Sequence, residues 1–292
     1  MKALIVENAY IKNKSQISQA DRIAEELRLL GVQVNVLRNF NLARIRQGRI
    51  EADGYDFCVF LDKDRVTSRL LEGSGLRLFN RSEAIEICDD KMLTSIALAK
   101  AEIRVPDGIY APLCYYKGQK PDQNFLDEVA KNLGFPLVAK TNFGSLGEGV
   151  TLINSEEELY SYEEQNINLA HFYQRFIGCG GEDIRVIVVG GKYLCAMKRS
   201  NTTDFRSNIE LGGKGEKYDI DDELKDLCAK TARVLNLDYC GIDALFDKDK
   251  KPYICEVNSN AFFAAAERVC GVNVAKTYAE YMVKTVAESA QK

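Results

Sequence analysis

Apolar and polar positions change their spacing along the chain, and the changes mark its elements. From Met1 to about Leu78, KALIVEN reads as a continuous apolar strand and Ser18 to Leu30 has helical spacing up to Gly31. VQVNVLRN alternates as a strand, and YDFCVFLD is a third. Strand, helix, strand in that order implies parallel pairing through crossover helices, a doubly wound α/β arrangement. Gly73 and Gly75 punctuate a short strand, LRLFN. A brief helix from Ser82 to Cys88 follows, then a second from Asp89 to Ala101, with Asp89 or Asp90 as its N-cap.

Val105-Pro106-Asp107-Gly108 stops that helix, and the polar stretch Lys117 to Asn124 reads as a linker or exposed loop. Asn124 to Leu133 is an amphipathic helix closed by Gly134. PLVAK is a short buried strand ending at Lys140, and TNFGSLGEGVTLI turns through Gly144, Gly147 and Gly149 into the next strand. An acidic helix spans Ser155 to Gln165, NINLAHFYQRFI ends in a strand, and DIRVIVVGGKYLCAMKRS is an antiparallel hairpin through Gly190-Gly191. Asp204 to Tyr218 is polar and glycine-bearing, a candidate mobile loop. Helices are expected from Asp222 to Leu235 and from Val274 to Ser289.

Between those helices lies YCGIDALFDKDKKPYICEVNSN, two β-rich flanks around a charged tip. Glu256 and Asn258 share one face of the second strand. With a loop from Lys248 to Lys251, Asp247 would lie opposite Pro252 and Asp243 opposite Glu256. Carboxylates facing each other across a strand pair repel unless a proton or a cation lies between them, and Asp243, Glu256 and Asn258 form a hard-oxygen set suited to Mg²⁺. Taken by itself, the stretch reads equally well as an apolar hairpin with polar edge residues.

Composition narrows the field. The chain has 292 residues, 46% of them hydrophobic, enough for a sizeable core and two or three lobes. Its 39 basic against 43 acidic residues give a net charge of −4, which speaks against a nucleic-acid footprint. MKALIVENAY is too short an apolar run for a signal peptide, and no window approaches the roughly 20 apolar residues of a membrane span, so a cytoplasmic protein with small partners is expected. Nine cysteines, an odd number without a CxxC pair, sit mostly in apolar runs such as DFCVFL and read as reduced core residues. The single histidine, His171, leaves no basis for a His pair or triad and reads as a structural residue.

Lys140 followed by the glycine turn suits a polyphosphate, with one fixed ammonium and several backbone N–H groups, although such a turn is often purely structural. It is not a P-loop, since GxxxxGK[ST] is absent and the glycines precede a strand. Asp204-Phe205-Arg206-Ser207-Asn208 sets one guanidinium among hydrogen-bonding side chains, suited to a carboxylate or phosphate; a solvated charged loop is the alternative. Asp183 and Arg185 alternate on one strand face, and Lys198-Arg199 add positive charge on the partner strand. A cationic wall facing a carboxylate face is satisfied by an anionic ligand with Mg²⁺, most commonly a nucleoside triphosphate.

This order of parts resembles the ATP-grasp superfamily and, within it, the RimK-type amino-acid (glutamate) ligases. The resemblance rests on RSEAIEICDDKMLT, PLVAKTNFGSLGEGV, YQRFI, EDIRVIVVGGK, DFRSNIELGG, and GIDALF to EVNSN, and covers about residues 79 to 286. It implies an N-terminal α/β domain (1–88), a central lobe with the phosphate loop (89–172) and a C-terminal lobe with the metal site (173–292). Lys91 and Lys140 would contact phosphates under the loop of Gly147, Glu148 and Gly149. Gln174, Arg175, Phe176 and Ile177 would form the adenine-reading hinge, and Asp183 would hold the ribose. Arg206, Ser207 and Asn208 would steady the γ-phosphate and a developing acyl phosphate, Arg185 and Arg199 would meet substrate, and Asp243, Glu256 and Asn258 would carry two Mg²⁺ ions, or Mn²⁺. Two departures stand out: Arg175 occupies a position usually held by Glu, and AFFAAAERVCGV replaces a segment richer in glycine and proline.

The implied chemistry is attack of a carboxylate on the γ-phosphate of ATP, then of an amine on the acyl phosphate. The acid and amine would be small molecules or peptides, with glutamate transfer as the family habit, and the family commonly forms dimers or tetramers. A nucleotide-binding regulatory protein without ligation, and a small-molecule kinase, are the rival readings.

Overall fold

The computed structural model describes residues 1–11, 14–42, 45–46, 49–50, 54–145, 147–178, 180–207 and 212–290. The chain opens with β1 (Lys2–Glu7), α1 (Lys14–Leu29), β2 (Gln33–Arg38), a two-stranded ribbon of β3 (Ile45–Arg46) and β4 (Arg49–Ile50), β5 (Phe57–Leu61), α2 (Arg65–Gly73) and β6 (Arg77–Phe79). β1, β2, β5 and β6 pair in parallel in the order β2-β1-β5-β6. This is the doubly wound sheet expected from the strand–helix–strand rhythm. Helix α2 was not expected. Its start is fixed by Asp64, whose carboxylate accepts from the backbone N–H groups of Val66 and Thr67 at 3.0 and 3.1 Å.

α3 (Ser82–Asp89) and α4 (Lys91–Lys100) lead into a four-stranded sheet of order β7-β10-β8-β9. It contains β7 (Gly108–Tyr110), β8 (Leu137–Thr141), β9 (Val150–Ile153) and β10 (His171–Arg175), covered by α5 (Gln123–Leu133) and α6 (Glu156–Asn166). Its core of Leu126, Val129, Leu137, Ala139, Leu159 and Tyr173 draws only on residues 109–173.

The last sheet has the order β13-β12-β11-β14-β15, from β11 (Glu182–Val189), β12 (Lys192–Ser200), β13 (Lys214–Lys217), β14 (Tyr239–Phe246) and β15 (Pro252–Asn258). α7 (Asp222–Val234), α8 (Ala264–Cys270) and α9 (Val274–Ser289) complete the chain. β13 arises inside the stretch expected to be a loop, where Lys214 to Lys217 pair with the end of β12.

Strand alternation divides the last sheet into two faces. Ile184, Val186, Val188, Cys240 and Ile242 join a core with α3, α4 and α7. Ile187, Val189 and Tyr239, on the other face, join a core that also contains Ile5, Ile23, Leu27, Phe57 and Val59 of the first sheet and its helix, together with Tyr278 of α9. Only one half of that second face is covered in this way. The other half carries Asp183, Arg185, Asp243 and Glu256.

Candidate active site

β14 and β15 bring Asp243 opposite Glu256, as the hairpin pattern predicts. The tip follows a different register. Phe246, not Asp247, lies opposite Pro252, and the Asp247 N–H donates to the Lys251 carbonyl at 3.2 Å. A bulge between Asp243 and Ala244 absorbs the one-residue offset and restores the Asp243–Glu256 pair. It has a second effect: Ile254 and Val257 are both buried in the core, while Cys255 and Glu256 both line the cleft. Strict alternation would have sent Cys255 to the opposite face from Glu256.

Asp243 is almost fully buried and held by two guanidinium groups. Arg185 grips it with Nε and Nη2, the latter at 2.7 Å, and Arg199 Nη2 lies 2.9 Å from Oδ2. Arg199 also grips Asp183 with Nε at 2.7 Å and with Nη2. Burial alone would push the Asp243 carboxyl up, but Arg185 and Arg199 outweigh it and hold it below the usual range. Asp183 goes the other way, raised by burial against the single guanidinium of Arg199 and by the nearby Asp243 charge. Gly241 makes this packing feasible, because a Cβ there would come within 2.5 Å of the Ala261 Cβ and 3.1 Å of the Arg185 Cδ.

Lys140 projects from β8 across the cleft to β15, its Nζ 3.5 Å from the Cys255 sulfur. Lys91 starts α4, capped by Asp90, whose carboxylate also accepts from Asn142 at 3.2 Å. Burial pulls the Lys91 ammonium below its ordinary pKa, while the Glu256 carboxylate raises it in part.

The glycine loop is held down by cations from three directions. Lys91 donates to the Gly144 carbonyl at 2.8 Å, Lys63 to the Ser145 hydroxyl at 3.0 Å and Arg206 to the Gly147 carbonyl at 2.7 Å. Arg65 stacks over Phe143 at 5.1 Å. Gly149 has φ +70°, and a Cβ there would lie 2.2 Å from the Thr141 hydroxyl, so the loop closes onto β8 only with glycine at this position. Arg206 is itself paired with Asp204, Nη2 to Oδ2 at 2.6 Å, which raises the arginine pKa and lowers that of the aspartate. The cleft left beneath the loop has a volume of about 100 Å³.

The expected hinge lines the same cleft. Gln174 and Ile177 are buried, and Phe176 meets Phe205 edge to face at 6.4 Å. The unusual Arg175 is turned to the flank, where Nε donates to Asp107 at 2.9 Å and Nη2 to the Asn132 carbonyl at 3.1 Å. Glu148, Ser207, Asp183 and Arg199 also line the cleft. Arg185 stands behind Asp243, and Asn258 lies opposite Gly241 at the end of β15. Asn208 falls outside the described residues.

Lys63, Arg65 and Cys255 escaped the sequence reading. The first two sit in a charged run, LDKDR, that has the look of an ordinary turn, and the third was absorbed into an apolar strand.

The solved structure of D-alanine–D-alanine ligase from Bacillus anthracis complexed with ATP superposes with a TM-score of 0.76 over 100% of this chain and 99% of that one, at 19% identity. The fold is therefore that of the ATP-grasp ligases. Residues 88–282 match the RimK-like ATP-grasp domain, and the chain belongs to that family. Human N-acetylaspartylglutamate synthase A is 33% identical over 223 residues, which cover 75% of this chain and 56% of that protein. The alpha-aminoadipate–LysW ligase LysX of Saccharolobus solfataricus is 30% identical over 233 residues, 78% of this chain and 80% of that protein. Among the described residues, no helix is long and apolar enough to cross a membrane.

Proposed function

We propose that the chain is an ATP-dependent carboxylate–amine ligase that forms an amide bond through an acyl phosphate. The observation that carries this reading is the meeting, in one cleft, of phosphate-suited cations (Lys91, Lys140, Arg206) and an oxygen-donor strand face (Asp243, Glu256). Lys91 and Lys140 would neutralise phosphate charge, the loop of Gly147, Glu148 and Gly149 would cover it, and residues 174–177 would seat adenine, with Asp183 toward the ribose. Arg206, with Ser207 and Asn208, would steady the charge that moves from γ-phosphate to acyl phosphate. Arg199, and Arg185 behind it, would lend positive charge to an anionic acid substrate.

The donor set fits Mg²⁺. Asp243, Glu256 and Asn258 offer only hard oxygen, and among the described residues no hydrogen bond or ion pair consumes the side chains of Glu256 and Asn258. Among those residues there is also no cluster of three or more His, Cys, Asp or Glu able to hold a metal unaided. Phosphate oxygens would complete the coordination, with two ions as the fullest occupancy. The metal would supply charge neutralisation at the phosphates.

The substrates would be an amino acid or similar amine and a small-molecule or peptide acid, in the cytoplasm, with a homodimer or tetramer as the working unit. The test is a screen of acid and amine pairs with Mg·ATP for ADP release, followed by the mass of the product. ADP release that requires both partners supports ligation. Phosphorylated acid formed without any amine requirement would replace it with a kinase.

A further inference from the structure

Asn80, the first residue after β6, is only 2% exposed, and its side chain binds both ends of the hairpin that carries Glu256 and Asn258. Nδ2 donates to the Tyr239 carbonyl at 2.8 Å and to the Ser259 carbonyl at 2.7 Å. Oδ1 accepts from the backbone N–H groups of Asp238 at 2.6 Å and Tyr239 at 3.1 Å. A carboxamide has two N–H donors and an oxygen with two lone pairs, and here all of them are used. Turning the amide over would set its oxygen against two carbonyls and its N–H groups against two others, so its orientation is fixed. The β14–β15 ladder ends at the Gly241–Asn258 pair, and just beyond it the Asn80 amide takes the place of the next rung.

We infer that Asn80 is the positioning residue for Asn258: by holding the Ser259 carbonyl against the start of β14, it fixes the backbone on which that oxygen donor stands. This rests on the metal reading above. Glu256 lies inside the ladder, opposite Asp243, and is placed by strand pairing on both sides, whereas Asn258 is the last residue of β15 and strand ends fray unless the chain beyond them is held. Gln19 of α1 also ties that chain down, donating to Asn260 Oδ1 and to the Ala261 carbonyl at 3.2 Å, and the Tyr239 hydroxyl donates to the same carbonyl at 2.7 Å. Asn80 differs from both in bonding the residue next to Asn258 and the opposite strand at once. A neutral amide oxygen gives a cation only its dipole, so its contribution depends on where it is held, and supports of this kind are worth about tenfold or more in metal affinity.

The experiment reads Mn²⁺ affinity by electron paramagnetic resonance at saturating ADP, metal-free ADP binding by equilibrium dialysis, and folding by the urea midpoint. Asn80→Ser should weaken Mn²⁺ binding about tenfold and leave metal-free ADP binding at the wild-type level, with a lower urea midpoint because two buried carbonyls lose their donor. Should that variant fail to fold, Asn80→Asp keeps the bonds from Asp238 and Tyr239, loses donation to Ser259, and should show the same loss of Mn²⁺ affinity. Asn258→Ala tests the route: it should weaken Mn²⁺ binding by itself, and adding Asn80→Asp to it should weaken binding no further. Losses that add in the double variant, or a lower urea midpoint with unchanged Mn²⁺ affinity, would overturn the role of Asn80 and leave the metal reading intact. Wild-type protein that binds ADP without Mn²⁺ would overturn the metal reading and the role of Asn80 together, and wild-type protein that binds no ADP would overturn the nucleotide reading as well.

Discussion

Two buried ionic networks sit in different sheets of this molecule, and only one of them opens onto a cleft. Where α6 packs on the central sheet, Glu163 of that helix accepts from the Tyr173 hydroxyl and from His171 Nε2 at 2.8 Å, while His171 Nδ1 faces the Leu169 carbonyl at 2.8 Å. Both imidazole nitrogens face acceptors, an arrangement that only the imidazolium satisfies completely. In the last sheet, Asp183, Arg199, Asp243 and Arg185 form a chain of comparable burial. The first network is enclosed by aromatic rings, with Tyr162 and Tyr173 edge-on to the imidazole at 5.8 and 5.4 Å. The second has one side against the cleft that Lys91, Lys140, Arg206 and Glu256 also line. Burial and charge are alike in the two networks, and the open face is what separates them.

The largest effect is expected for Glu256→Ala, which should abolish amine-dependent ADP release, since electrostatic groups of this kind contribute roughly 3 kcal/mol or more. Near-normal turnover would remove Glu256 from the site. Glu163→Ala should do the reverse. Leaving a buried imidazolium without its partner costs about 3–5 kcal/mol of folding stability. This is measurable as a lower urea midpoint, with nucleotide affinity in the folded fraction unchanged. Arg206→Ala should lower turnover about tenfold to a hundredfold with little change in the urea midpoint, because the residue ties two loops across the cleft and supports no core.

A smaller effect comes from pH. Burial lowers the His171 pKa, but the hydrogen bonds to Glu163 and Leu169 and the Glu163 charge more than reverse this, leaving it above the ordinary value of 6.5. The folded pKa is raised, so the stabilisation is fully present below pH 6.5 and fades as pH rises through the folded value. Urea midpoints measured from pH 6 upward should show this decline, and His171→Asn should flatten it. The smallest change expected is for Lys63→Ala, which loosens one exposed contact to the glycine loop and should weaken ATP binding only a few-fold, read by equilibrium dialysis.

The sequence shows the parallel sheet, the glycine turn and the Asp243–Glu256 pair because each depends on local periodicity or on a turn that glycine alone permits. It does not show the tip register. The offset there and the bulge at Asp243 cancel, so an incorrect loop length leads to the correct facing pair. The partners of Arg185 and Arg199 were equally out of reach, because strand alternation says which face a guanidinium takes but not which carboxylate across the sheet will hold it. Helix α8 lies in the segment where family resemblance weakens, and its short alanine run carries little periodic signal.

The shared core of the outer lobes has a mechanical consequence. Phe57 and Ile23 from the beginning of the chain pack in the same cluster as Tyr239 and Tyr278 from its end, whereas the sheet of β7 to β10 keeps a core to itself. The cleft of about 100 Å³ lies between these two cores. The first and last sheets cannot part without splitting a common interior, whereas a shift of the sheet of β7 to β10 would leave its own core whole.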